Sequence, residues 1–289
     1  MSIFQDLKYK YNNLSAFGKI IAINVIVFVV CLLLWVSKLG WLQNYFVLPS
    51  DFLDFIIQPW SIITYSFIHA DFMHIIFNML FLFYLSRVLV NLFRPKMVLN
   101  IYFLGIIVGG VLYMSVASLW PTNFFGAGGN LRGASAGVAA LLVFVAVYMP
   151  DSQIRPFNLF NIQWKYVALI FVSLDVIRML LGFNSGGYVS HIGGYILGYF
   201  YAKKLMEGKD IGSGFEKIAD KFVAIFKPKS NLKTVHRTKR TSSSKSKPKT
   251  TTNISNNQKQ IDAILDKISK SGYESLTAKE KEFLFKQGK

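Results

Sequence analysis

Six apolar segments crowd residues 20–205, at roughly 20–36, 62–86, 97–119, 135–149, 166–182 and 187–205. Most of them approach the twenty or so residues that a helix needs to cross about 30 Å of hydrocarbon. The last 84 residues, 206–289, are polar and basic. A chain divided in this way reads as an all-α membrane protein of six transmembrane helices followed by a cytosolic basic tail, not as one soluble globule. The fourth segment is short and follows the glycine-rich stretch Phe125-Gly126-Ala127-Gly128-Gly129-Asn130. A short helix surrounded by others can begin below the membrane surface, because protein covers its end.

Charge sets the expected orientation. Lys/Arg in the loops after segments two and four (Arg87, Arg94, Lys96, Arg155, Lys165) outnumber those in the alternate loops (Lys38, Arg132), which puts both termini on the cytoplasmic side. Lys8, Lys10 and Lys19 precede Ile20–Val36, but no small-x-small cleavage site follows, so this run reads as a retained first helix. From Lys203 onward there are 21 Lys/Arg against 9 Asp/Glu, which is +12 of the net +17. Because that charge follows an apolar run directly, it reads as a topology signal and an attraction to lipid head groups, with no nucleic-acid partner expected. The lone cysteine, Cys31, cannot pair within the chain.

The organisation expected is a cytosolic segment 1–19, a six-helix domain 20–205, a juxtamembrane amphipathic helix 206–226, a Lys/Ser/Thr-rich disordered linker 227–256 and a helical hairpin 257–289. In the last piece Ile261, Ile264, Leu265 and Ile268 make a helical stripe, Gly272 stops it, and Thr277 with Glu280 forms a capping box.

Two reactive groups stand out in the apolar sequence. Ser135 lies in Gly133-Ala134-Ser135-Ala136-Gly137 and His191 in Ser190-His191-Ile192-Gly193-Gly194. A serine hydroxyl needs a base within hydrogen-bond reach to become a nucleophile, and imidazole is the usual one. Segments two, four and six run in the same direction, so His74, Asn78, Ser135 and His191 all fall in the outer half of the membrane. Gly194 and Gly198 share the His191 face of segment six, and small residues let membrane helices approach closely. His74 and Asn78, four apart on one helix face, can donate hydrogen bonds to an oxyanion, as can the unpaired amide of Ser135 at a helix start. Plainer readings exist for each: a serine bonded to its own helix, glycines that only pack, and an asparagine that only links helices. No His-Glu-x-x-His occurs, and no metal is expected.

These motifs resemble the rhomboid family of intramembrane serine proteases over residues 20–205. His-x-x-x-Asn at His74–Asn78, Gly-x-Ser-x at Gly133–Ala136 and His-x-x-Gly-x-x-x-Gly at His191–Gly198 carry the likeness. The resemblance implies a six-transmembrane-helix rhomboid-like bundle. It implies a Ser135–His191 dyad with no aspartate, Asn78 and His74 on the oxyanion, and Gly133, Gly194 and Gly198 in helix packing. It implies transmembrane proteins as substrates, cleaved in or beside the membrane without cofactor or metal. Members often have Gly after the serine and many bacterial ones a Tyr four residues on, whereas this chain has Ala136 and Ala139. Tyr188 and Tyr195 are both candidates to neighbour the histidine instead. The Trp-Arg pair that some members carry in the first external loop is absent; residues 37–58 offer Trp41, Tyr45 and Phe46 for the interface. The alternative is an inactive relative that binds membrane clients, although such relatives usually lack the serine or the histidine. The expected membrane is a bacterial cytoplasmic one. Substrate identity and oligomeric state are not legible in the sequence.

Overall fold

The computed structural model describes residues 3–119, 129–155, 159–182, 185–226 and 254–287. The chain forms two units, 1–228 and 229–289. The glycine-rich stretch before Asn130, apart from Gly129, and most of the 227–256 linker lie outside the described residues.

The first unit opens with α1 (Ile3–Asn13) and α2 (Ala16–Val36), the latter capped by the Ser15 hydroxyl, which accepts from the Gly18 amide at 3.0 Å. A 3-10 turn at Gly40–Tyr45 and α3 (Phe52–Ile57) follow, then α4 (Ser61–Thr64) and a 3-10 turn at Tyr65–Phe67. The long helices are α5 (Phe72–Val90), α6 (Pro95–Leu119), α7 (Ser135–Tyr148), α8 (Trp164–Leu180) and α9 (Ser185–Met206). Between α7 and α8 a two-residue antiparallel ribbon pairs Gln153 with Gln163 and Ile154 with Ile162 (β1, β2). An amphipathic α10 (Ser213–Phe226) closes the unit.

Among the described residues three helices, α2, α5 and α6, are long and apolar enough to cross a membrane, and α7 is a shorter apolar helix. Their outward faces suit lipid. On α2 the large apolar residues Ile26, Val29, Leu33 and Val36 all stand exposed along one face, a surface that suits lipid. Segment two differs from its expected span of 62–86. Asp71 takes an extended conformation and accepts from the His74 amide at 2.9 Å, so the helix starts after it, and Ser61–Phe67 makes two short turns instead. An apolar run hides such a boundary, because hydropathy does not register a cap.

The core is built around α7. Every residue from Ala136 to Ala146 is buried, as expected of a helix that is apolar all round. With 14 residues it spans only about 21 Å, so it sits inside a ring formed by α5, α6, α8 and α9. Glycines set how closely that ring closes. A methyl group on Gly194 would run into the Ala136 carbonyl oxygen, and one on Gly198 into that of Ala140. On the opposite side a methyl on Gly105 would stand 2.5 Å from Ala140 Cβ. The backbones of α6, α7 and α9 therefore touch.

The helix α10 and the segment entering it are tied to the start of α6 and to α9. Lys96 meets Asp220 at 2.7 Å, Arg94 meets Asp210 at 3.3 Å, and the Tyr201 hydroxyl donates to Asp210 at 2.5 Å. Ile218 and Ile225 on α10 stay exposed.

In the second unit α11 (Ile254–Ser271) ends where Gly272, at φ +75°, turns the chain, and α12 (Ala278–Gln287) follows. Ile264 and Leu276 are its buried apolar residues, and Lys267 reaches from α11 to Glu280 on α12 at 3.0 Å. The capping box is formed. Glu280 accepts from the Thr277 amide at 2.7 Å, and the Glu280 amide donates to the Thr277 hydroxyl at 3.4 Å. The Thr277 amide first, then Lys267 and the Thr277 hydroxyl, hold the Glu280 carboxyl down at about 2. A depressed carboxyl contributes stability above its unfolded value of 4.5, and loses it as pH falls through the folded one. Cα chemical shifts of α12 in the full chain are therefore expected to lose helical character between pH 4.5 and 2. Glu280→Gln should remove that transition; an unchanged transition in the variant would exclude this carboxyl as its source.

Candidate active site

The approach to Ser135 is held in place by hydrogen bonds from three directions. Leu48 and Leu131 exchange backbone bonds at 3.0 and 2.8 Å, the Gly133 amide donates to Tyr65 carbonyl at 2.9 Å, and the Ala134 amide donates to His69 Nε2 at 3.5 Å. Tyr65 is itself fixed, its hydroxyl donating to the Ile106 carbonyl at 2.7 Å. Gly133 lies in this loop and not on a packed helix face, which corrects the expectation that it packs helices. Its φ of +118° belongs to glycine, and the His74 ring occupies the space where a side chain would be. No side chain caps α7 at Ala134. The first-turn amides from Ser135 to Gly137 thus lack intrahelical partners at the helix start where the partly exposed Ser135 stands.

His74 comes to this hydroxyl from the first turn of α5. A methyl placed on Gly133 would stand 2.7 Å from His74 Nε2 and 3.7 Å from Ser135 Oγ, so the two atoms converge on one small volume. The Ala70 amide donates to His74 Nδ1 at 3.5 Å, which assigns the ring proton to Nε2 and makes it a donor aimed at that volume. Asn78 is buried and spends one amide hydrogen on its own helix, donating to the His74 carbonyl at 2.9 Å. Its second hydrogen remains for another acceptor.

His191 sits on the α9 face that packs on α7, one turn before Gly194. Ala139 explains its own small size: a Gly194 methyl would be 3.1 Å from Ala139 Cβ, so a ring at position 139 would push α9 away. The aromatic neighbours of His191 come from α9 itself. Tyr188 and Tyr195 both stand edge-on to it, with ring centroids at 5.7 and 6.4 Å. Ser135 Oγ forms no hydrogen bond to His191 among the described residues.

One partner of His191 escaped the sequence reading. Asp175 of α8 places Oδ2 2.7 Å from His191 Nδ1 and accepts from the Tyr195 hydroxyl at 2.5 Å. The signal was available, since an acid within an apolar helix is costly and marks a site by default. Among the described residues, no group of three or more His, Cys, Asp or Glu is arranged to hold a metal ion.

A family model for the Rhomboid domain matches residues 57–208, just over half of the chain. The chain belongs to the rhomboid family. A second family model, a family of unknown function (DUF6576), matches residues 249–286 of the second unit. RHOMBOID-like protein 12, mitochondrial, of Arabidopsis thaliana is 23% identical over 158 residues, covering 52% of this chain and 47% of that protein. Presenilin-associated rhomboid-like protein A, mitochondrial, of Danio rerio is 28% identical over 140 residues, 47% of this chain and 35% of that protein. The chain thus matches less than half the length of either relative. The rhomboid match spans α4 to α9 and takes in His74, Asn78, Ser135, Asp175 and His191.

Proposed function

We propose that this rhomboid protein is an intramembrane serine endopeptidase that cleaves transmembrane or juxtamembrane segments of other membrane proteins. The observation that carries the reading is the convergence of Ser135 Oγ and His74 Nε2 beside Gly133, at the uncapped start of α7. In the reaction Ser135 Oγ attacks the scissile carbonyl carbon while His191 Nε2 takes the hydroxyl proton. The Ser135 amide and His74 Nε2–H hold the oxyanion, with the second Asn78 hydrogen as a further donor. Collapse breaks the C–N bond, and His191 returns its proton to the leaving nitrogen. Water then attacks the acyl-serine by the same steps in reverse.

The membrane arrangement belongs to the same proposal: α2, α5, α6, α7, α8 and α9 as six spans, with both termini and the basic tail on the cytoplasmic side, in a bacterial-type inner membrane. The basic loops favour that orientation, while the two named relatives carry the word mitochondrial. In this arrangement the exposed apolar face of α10 lies on the inner membrane surface.

The test is cleavage of single-span reporter proteins co-reconstituted in liposomes. Wild type is expected to cut a reporter, and Ser135→Ala to leave it whole; cutting by the variant would exclude Ser135. Within that assay, Asn78→Ala is expected to lower the turnover number about 10- to 1000-fold with an unchanged melting temperature, the loss seen when one oxyanion donor is removed. Full activity would assign Asn78 to its own helix alone.

A further inference from the structure

We infer that Asp175 is a positioning residue for His191, completing a Ser135–His191–Asp175 relay assisted by Tyr195. The inference rests on the protease reading, and departs from the aspartate-free dyad that the sequence resemblance implied.

Three observations carry it. The first is direction. The buried residues of α8 are only Trp164, Ala168 and Asp175, while Leu169, Ile170, Leu174 and Ile177 of the same helix are exposed. The one acid in a helix that turns its apolar bulk outward is directed inward at the imidazole. The second is satisfaction. A buried carboxylate in such a helix is stable only with donors, and both come from one face of α9, His191 Nδ1 at 2.7 Å and the Tyr195 hydroxyl at 2.5 Å. The third is tautomer. A carboxylate only accepts, so the bond places the ring proton on Nδ1 and leaves the Nε2 lone pair free to receive the Ser135 proton. When Nε2 takes that proton the ring becomes a cation with a carboxylate already against it, and no side chain has to move to stabilise the charge.

A link serving only to pin α8 to α9 would have no need of a charged acceptor or a particular tautomer, and this separates the two roles by experiment. In Asp175→Asn the carboxamide keeps the size and can donate to Nδ1, which pushes the ring proton to Nε2. The whole 289-residue chain, labelled with 15N-histidine in liposomes, has four histidines to resolve. Wild type is expected to show His191 with a protonated Nδ1 and a bare Nε2, and Asp175→Asn to show the reverse. Fluorophosphonate labelling and reporter cleavage should slow by about 10²- to 10⁴-fold in Asp175→Asn, with KM unchanged, as for a wrong tautomer. Asp175→Glu should recover part of the rate, and Tyr195→Phe should lose less than about tenfold, because only one supporting hydrogen bond goes. A wild-type His191 protonated on Nε2 would overturn the inference. So would an Asp175→Asn protein that labels at the wild-type rate; that outcome would leave the protease reading intact. A wild type with the expected tautomer that never labels would do the opposite, removing the protease reading while Asp175 still sets the imidazole.

Discussion

Ser135→Ala is expected to lower cleavage by about 10⁴- to 10⁶-fold, and His191→Ala by a similar factor, with the double variant hardly worse than either. The near-equality follows from how the two groups work. The hydroxyl is a weak nucleophile until its proton has somewhere to go, and the imidazole has nothing to activate once the hydroxyl is gone. What survives is the slow reaction supported by the Ser135 amide and His74 Nε2, which still gather around the same volume. The measurement is single-turnover cleavage of a reconstituted reporter by the three variants. Effects that multiply, with the double variant far below both singles, would mean that the two residues do not act as a unit. Because Ser135 is a small, partly exposed residue and the substitution leaves its backbone in α7 untouched, its removal should leave the melting temperature where it was.

The second large effect is on stability. Gly194→Ala is expected to destabilise the protein by about 3 kcal/mol, toward the upper end of overpacking costs. A methyl group there would overlap the Ala136 carbonyl oxygen, which belongs to the backbone of the buried α7 and cannot swing aside like the tip of a side chain. Either α9 withdraws, taking His191 away from Ser135, or α7 shifts and loses its contacts with α6, where a Gly109 methyl would already stand 2.7 Å from Ala136 Cβ. Both routes cost activity as well as stability. Gly214→Ala on α10 is the matched control, since a methyl there meets nothing within 4 Å. It should melt at or slightly above wild type, because alanine favours helix over glycine by about 1 kcal/mol. The check is thermal unfolding in detergent for the two variants side by side. A Gly194→Ala protein that melts with wild type would contradict backbone contact between α7 and α9.

Sequence and structure agree where a single physical constraint dominates. Long apolar runs had to become helices, and Thr277 with Glu280 had to cap one, since each signal is local and has few other uses. The start of α5 was hidden because Ile62, Ile63 and Ile68 continue the apolar run that hydropathy follows, while the Asp71 cap that breaks it is a single polar residue. Gly133 read as part of a packing motif, since sequence does not give φ; in three dimensions it makes room for the His74 ring. The choice between Tyr188 and Tyr195 stayed open because both lie near His191 along the helix. Both rings in fact flank it, and only the hydroxyl of Tyr195 is distinguished, by its bond to Asp175. Asp175 was missed for a different reason. It lies 16 residues from His191 along the chain and on another helix, so no motif joins them, and its isolation in α8 was the one cue.

The central claim, that Ser135 is a nucleophile activated by His191, is tested most directly by a covalent adduct. The whole chain in detergent is treated with a fluorophosphonate, digested, and mapped by mass spectrometry. A single phosphonylated residue at Ser135 is expected, present in wild type and absent from His191→Ala. A wild type that carries no adduct, or whose adduct persists at full rate without His191, would contradict the account.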